Sequence, residues 1–197
     1  MIRSLLLVSL ALSACASSPP VPEPPTLQAQ LASRVAVKVE TWSGTGSGFP
    51  LSTTEILTAW HVVEGTSPEG ITVNGQHPSA VILLGALDAC VLRFDAPHGL
   101  VPWSLDVRAV EPAEPVYASG WGVGLHWWSA GLGTLEPHRL SLTIAPGDSG
   151  CPVLDSDMEV IGIVVARGRL GPHHCFIVPI TDIQAELDLL QPSPISQ

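Results

Sequence analysis

Basic residues are scarce in this chain. Lys38 is the only lysine in 197 residues, and 8 Lys and Arg stand against 18 Asp and Glu for a formal charge of −10. With no basic run anywhere, the nucleic-acid binders are excluded, because phosphate backbones are held chiefly by clustered Lys and Arg. Charge of either sign is thin as well, 13% of residues against roughly a quarter in typical globular chains. Since 46% of the residues are hydrophobic, the disordered class is excluded too. No apolar run reaches the ~18 residues of a membrane-spanning helix. Proline and glycine are not lacking: 19 and 18 of them cut the chain into short segments, which favours strands and turns over long helices in one compact folded region.

The N-terminus carries a different signal. Arg3 supplies a positive start, Leu5 to Leu12 a short apolar stretch, and Leu12-Ser13-Ala14-Cys15 closes it with small residues and a cysteine. This resembles a bacterial lipobox, which implies that residues 1–14 are a signal peptide and that Cys15 becomes a lipidated first residue anchored to a membrane of the cell envelope. Ala14-Cys15-Ala16 also fits an ordinary small-x-small cleavage site, which would release a soluble secreted product. Residues 15–30 include Ser17-Ser18-Pro19-Pro20-Val21-Pro22-Glu23-Pro24-Pro25, too proline-rich for helix or sheet, and read as an extended tether. The folded domain is expected over 31–190, followed by a short tail, 191–197. With Cys15 modified, Cys90, Cys151 and Cys175 remain, so at most one intramolecular disulfide is possible and three buried thiols are equally compatible with the sequence.

From Arg34 onward short β-rich runs alternate with turn residues: Val35–Val39, Ile56–Ala59, Ala80–Leu84, Cys90–Phe94, Pro115–Ala118, Val160–Val165 and Cys175–Val178. Many short strands with almost no helix predict an all-β barrel or sandwich. The exception is the end, where Thr181 and Gln184 spell a capping box and Ile183, Leu187 and Leu190 recur at helical spacing, predicting a closing C-terminal helix.

Chemistry enters with Pro146-Gly147-Asp148-Ser149-Gly150-Cys151-Pro152, a serine between glycines in a proline-bounded turn. Such a turn can aim backbone N–H groups, here those of Gly147 and Ser149, at one developing oxyanion. A serine hydroxyl is a poor nucleophile without a base in reach. His61, in Leu57-Thr58-Ala59-Trp60-His61-Val62-Val63, is the candidate base. Asp88 opens the apolar run Asp88-Ala89-Cys90-Val91-Leu92, where a histidine N–H would offset the cost of burying its carboxylate.

These three segments, in the order His, Asp, Ser, resemble the signatures of trypsin-like serine proteases. Spacings of 27 and 61 residues are similar to those of compact bacterial, HtrA-type members. Gly46-Ser47-Gly48-Phe49 resembles the turn before the histidine strand of those enzymes, Gly120-Trp121-Gly122 a motif of the second barrel, and Phe176-Ile177-Val178-Pro179-Ile180 their F-x-x-P-I strand. The resemblance spans about Arg34 to Leu190. It implies two perpendicular six-stranded β-barrels with the site in the cleft between them, a serine endopeptidase acting on proteins or peptides through an acyl-enzyme, and His61, Asp88 and Ser149 as its triad. It also implies a specificity-pocket base at Thr143, whose uncharged side chain argues against cleavage after Lys or Arg and for a small or medium apolar residue.

There are departures. Cys151 replaces the usual second glycine after the nucleophile, no cysteine lies four residues before Ser149, and the 17 residues after Ile180 are too few for the PDZ domain of HtrA-type proteins. They leave room for a rival reading, a binding module that keeps the protease fold without turnover. No cofactor or metal is expected: His173-His174-Cys175 lacks companion ligands, and adjacent side chains of an extended segment face opposite ways. Trp121, Trp127 and Trp128 are expected in packing rather than as a binding platform. In zymogen relatives a newly cut N-terminal ammonium pairs with the aspartate before the nucleophile, here Asp148. Val35 lies too few residues before His61 for that insertion, so the domain is expected to need no proteolytic activation. Asp148 is then left to solvent, backbone N–H groups or an internal arginine such as Arg139.

If Cys15 carries lipid, the protein enters the detergent phase on temperature-induced partitioning. Recovery from the aqueous phase, with Ser17 at the N-terminus, identifies the secreted alternative.

Overall fold

The computed structural model describes residues 35–134, 136, 138–167 and 174–190. Cys15, the tether, the expected domain start near Leu31, His173 and the tail lie outside the described residues. No described helix is long and apolar enough to cross a membrane.

Two β units follow one another along the chain. The first contains β1 (Val37–Thr41), β2 (Gly44–Pro50), β3 (Glu55–Thr58), β4 (Thr72–Val73), β5 (Ala80–Leu83) and β6 (Cys90–Arg93), with one helical turn, α1 (Trp60–Val63), after β3. Its strands lie in the order β4-β1-β2-β3-β6-β5, all antiparallel. The second contains β7 (Pro115–Gly120), β8 (Trp127–Gly133), β9 (Arg139–Ser141), β10 (Pro152–Leu154), β11 (Val160–Arg167) and β12 (Cys175–Pro179), closed in the order β10-β11-β12-β9-β8-β7. The first sheet curls as a half-barrel whose end strands β4 and β5 are not paired to each other, whereas β7 pairs both β8 and β10 and completes the second barrel. This is the chymotrypsin-like architecture expected, with α2 (Ile180–Leu190) at its end.

Each hydrophobic run expected to be a strand is one, with no end shifted by more than two residues. The additions are informative. Gly46-Ser47-Gly48-Phe49, expected as a turn, lies inside β2 and pairs with both β1 and β3. A Cβ on Gly48 would stand 2.7 Å from the Leu57 carbonyl oxygen, so a glycine-rich sequence is what lets this central strand pass so close to β3. His61 in turn sits on α1 and not on a strand. The capping box does not form either. Ile180 is fully buried, so the helix starts one residue before Thr181, whose hydroxyl donates to Asp182 Oδ1 at 3.3 Å, while the Gln184 amide donates to Asp188 at 2.7 Å.

One apolar cluster spans both units. Val35, Phe49, Leu57, Leu84 and Val91 from the first pack with Tyr117, Leu154, Val160, Ile163 and Val178 from the second, and α2 adds Ile180 and Ile183. Separate clusters fill the first unit around Ile56, Ile71 and Leu92 and the second around Leu140, Val153 and Ile161. Between the units, the Trp103 indole donates to the Met158 carbonyl at 2.6 Å, and the Val160 N–H donates to Ser104 at 2.9 Å. The shared cluster fixes how the two units face each other, and with them the cleft between.

Leu154 is fully buried in that cluster. Leu154→Ala is expected to lower folding stability by about 2–5 kcal/mol, read as a lower urea midpoint at unchanged slope.

Candidate active site

The site is assembled where α1, the turn before β6 and the β9–β10 connection meet. After β3 the chain passes through extended Ala59 into α1, and the burial of Val63 against Ile71 and Leu92 orients that turn so that His61 faces the cleft. Asp88, just before β6, grips His61 twice: Oδ2 lies 2.7 Å from the ring Nδ1, and Oδ1 accepts the His61 backbone N–H at 2.9 Å. Two contacts from one carboxylate fix both the position and the rotation of the imidazole and place the ring proton on Nδ1, leaving Nε2 as the basic nitrogen. Asp88 is not buried as its apolar surroundings suggested; 37% of its side chain and 41% of that of His61 are exposed. The apolar run begins one residue later, with Ala89 and Cys90, both fully buried.

The electrostatics follow this geometry. The hydrogen bond to Asp88, supported by its charge and that of Glu64, raises the His61 pKa above its ordinary 6.5 against the lowering effect of burial. Burial pushes the Asp88 carboxyl up, but the hydrogen bonds from the His61 ring and backbone together bring it below its usual value.

Ser149 and His61 line one shallow cavity of about 170 Å³ together with Val62, Thr41, Ser43, Gly44 and Thr45. The structure thus brings together the three residues singled out in sequences 27 and 61 positions apart. Ser47 does more than its motif indicated. Fully buried, it donates its hydroxyl to the Gly147 carbonyl at 2.7 Å, accepts from the Trp121 N–H at 2.9 Å, and gives its own N–H to the Ser149 carbonyl at 2.8 Å. The Thr58 hydroxyl donates to the Ser47 carbonyl at 2.6 Å. A lone hydroxyl between strand glycines was the one sequence signal of this role.

Asp148 is 2% exposed. Its Oδ2 accepts the Ala145 N–H at 2.7 Å, and its Oδ1 accepts the Trp127 indole N–H at 2.9 Å. Burial raises its pKa, and these donors hold it down. Arg139 is not its partner, because that guanidinium pairs with Glu136 at 2.5 Å. Thr143 lies beside Asp148 in a recess too narrow for a water molecule, walled also by Gly120, Trp127 and Cys151, and not in the cavity shared by His61 and Ser149. Trp127 packs there, as expected, and the Trp121 indole edge meets the His126 ring in a T-shaped contact.

Cys90, Cys151 and Cys175 are buried and unbridged. Burial pushes the Cys90 and Cys175 thiols up to about 12, and that of Cys151 well above its ordinary value, so all three stay protonated. The acidic groups of Asp106, Asp155 and Glu159 converge within 4.8 Å. There the Arg108 guanidinium meets Asp106 at 2.5 Å and Asp155 at 3.2 Å, so this cluster carries its own cation.

By sequence, residues 46–163 match the trypsin-like peptidase domain. The chain belongs to the trypsin-like peptidase family. No curated protein matches this trypsin-like peptidase by sequence. Among solved structures, it is similar to the inactive form of the Rv3671c protease of M. tuberculosis (TM-score 0.72, 19% identity, covering 89% of this chain and 99% of that one). It is also similar to a serine endoprotease from Yersinia pestis (TM-score 0.69, 25% identity, 85% and 68% covered) and to an inactivated protease paralogue of the scabies mite (TM-score 0.63, 19% identity, 83% and 96% covered). The fold of this peptidase is therefore that of the chymotrypsin-type serine proteases.

A raised histidine pKa stabilises the folded state below about pH 6.5, and that contribution is lost as pH rises through the folded value. His61 is expected to titrate above 6.5 by NMR of its ring protons, and Asp88→Asn to move the transition down. The stability lost in Asp88→Asn should accordingly be larger at pH 5.5 than at pH 8.5.

Proposed function

We propose that this trypsin-like peptidase is a serine endopeptidase that cleaves proteins or peptides through an acyl-enzyme, with His61 as general base, Asp88 as its orienting carboxylate and Ser149 as nucleophile. The observation that carries the reading is the double grip of Asp88 on His61 at the mouth of the cavity that also holds Ser149. His61 Nε2 takes the hydroxyl proton as Ser149 Oγ bonds to the scissile carbonyl carbon. The resulting imidazolium is stabilised by Asp88, and the same proton passes to the leaving amine as the C–N bond breaks. Water, deprotonated by His61 in turn, bonds to the acyl carbon; the bond to Ser149 Oγ breaks, and His61 returns the proton to that oxygen. The N–H groups of Gly147 and Ser149 are assigned to the carbonyl oxygen that becomes negative in each half. The reading is supported by the family match and by a serine endoprotease among the structural relatives.

Thr143 is assigned to the specificity region, and its lack of charge favours small or medium apolar residues over Lys and Arg at the cleavage site. Cys15 and the proline-rich stretch after it support a domain tethered by lipid to the cell envelope. Nothing in the composition favours a nucleic-acid partner.

A fluorophosphonate probe is expected to label the wild-type protein at Ser149, located by mass spectrometry, and to leave Ser149→Ala unlabelled. Ser149→Ala and His61→Ala should each lower kcat by about 10⁴- to 10⁶-fold. Labelling that survives Ser149→Ala, or a pure domain that hydrolyses no member of a broad peptide library, selects the binding-module reading.

A further inference from the structure

We propose that Trp127 is a positioning residue for the loop that carries Ser149: by holding the Asp148 carboxylate it keeps residues 145–149 in the shape that presents the Gly147 and Ser149 N–H groups to substrate. The proposal rests on the serine-endopeptidase reading and deepens it, naming what takes the place of a cationic partner for Asp148.

Asp148 is a carboxylate with almost no contact with water and no counter-ion among the described side chains. Lys38 pairs with Glu40, Arg93 with Glu55, Arg108 with Asp106, Glu114 and Asp155, and Arg139 with Glu136. The remaining ionisable groups near it are the thiols of Cys151 and Cys175, both protonated. Burying such a charge without compensation is strongly unfavourable, so its two N–H donors decide where the loop can sit. One, from Ala145, is a backbone group of the loop itself. The other is the Trp127 indole, the only side chain of the two. Trp127 opens β8 opposite Gly120 of β7, so its position is fixed by the barrel ladder and not by the loop it supports.

The surrounding sequence is shaped to this contact. A Cβ on Gly120 would lie 2.5 Å from Asp148 Oδ1, and one on Gly122 would lie 2.2 Å from Trp127 Nε1 and 2.9 Å from Asp148 Oδ1. Both glycines of Gly120-Trp121-Gly122 are thus required by the space the carboxylate and the indole occupy. Next to them Val123, a β-branched residue, adopts φ 48°, and its N–H donates to the Pro146 carbonyl at 2.6 Å. Left-handed geometry is costly for valine, so the contact with the loop is maintained against local strain. The recess around Asp148 admits no water to replace a lost donor. With the indole N–H removed, the carboxylate has to swing out to solvent or take up a proton, and either change moves its neighbours Gly147 and Ser149.

The test uses Trp127→Phe, which keeps an aromatic ring and removes only the N–H, in the full-length protein. Losing one donor to a buried charge is expected to raise amide hydrogen exchange in residues 145–150 by about 10- to 100-fold while β1 and β3–β6 exchange as before, and to lower kcat by a similar factor with little change in KM. In an Asp148→Asn background the same substitution should change kcat by less than about threefold, because the buried charge that the indole N–H compensates is gone. Equal loop exchange and kcat in Trp127→Phe and wild type overturn the proposal, as does an undiminished effect in the Asp148→Asn background. If Trp127→Phe fails to fold, Trp127→Met, which also lacks the indole N–H, must give the loop-specific exchange or the proposal falls. A wild-type protein that ignores the fluorophosphonate probe defeats the endopeptidase reading, while the exchange measurement still judges the hold of Trp127 on the loop.

Discussion

The hydroxyl and peptide group of Ser47 join the two halves of the molecule at the point where the chemistry is placed. Packing of Phe49 and Leu57 against Tyr117 and Leu154 brings the first sheet and the second barrel together, but apolar contact is non-directional and leaves sliding movements cheap. Ser47 supplies the directional part: it bonds Gly147, Trp121 and Ser149 at once, from the middle of a strand locked between two neighbours. His61 and Asp88 belong to the first sheet and Ser149 to the second barrel, so the distance between His61 and Ser149 depends on this junction. Fully buried and with each polar atom paired, it is also hard to exchange for water.

The candidate site shows a division of labour between carboxylates. Asp88 is partly exposed and holds a group that is meant to change charge, and its pKa lies below the ordinary value because the ring and backbone N–H of His61 outweigh burial. Asp148 is closed off from water and has a pKa raised because burial outweighs its hydrogen-bond donors. Opposite directions of shift in two carboxylates of one site follow from the balance of burial against donors, with the His61 ring and its charge tipping it for Asp88. The three cysteines contribute only volume, since burial keeps each thiol protonated.

Much of this was legible in the sequence because it depends on local pattern. Alternating Val, Ile and Leu runs between prolines and glycines marked seven strands, and Ile183 and Leu187 marked the closing helix. His61, Asp88 and Ser149 stood out because each sits in a short segment whose neighbours repeat a recognisable family pattern in a recognisable order. What was not legible is equally specific. β2 looked like a turn, because Gly46 and Gly48 meet demands set by Val62 on α1 and Leu57 on β3 and not by their own conformation. The capping box at Thr181 was displaced because Ile180 is drawn into a core built from both units.

The sequence by itself determined the elements and the chemical types of the candidate site: short strands, a histidine, an aspartate and a serine in order, and a glycine-bounded loop around the serine. Tertiary structure alone decided the partners. Asp148 has Trp127, 21 positions away, instead of Arg139, and Ser47 reaches Gly147 across 100 positions, neither of which follows from any spacing along the chain. The physical reason is that strand periodicity and turn chemistry act over a few residues. Pairing of buried polar groups is settled only when the barrel closes and each donor must take whichever acceptor the packed backbone brings within about 3 Å.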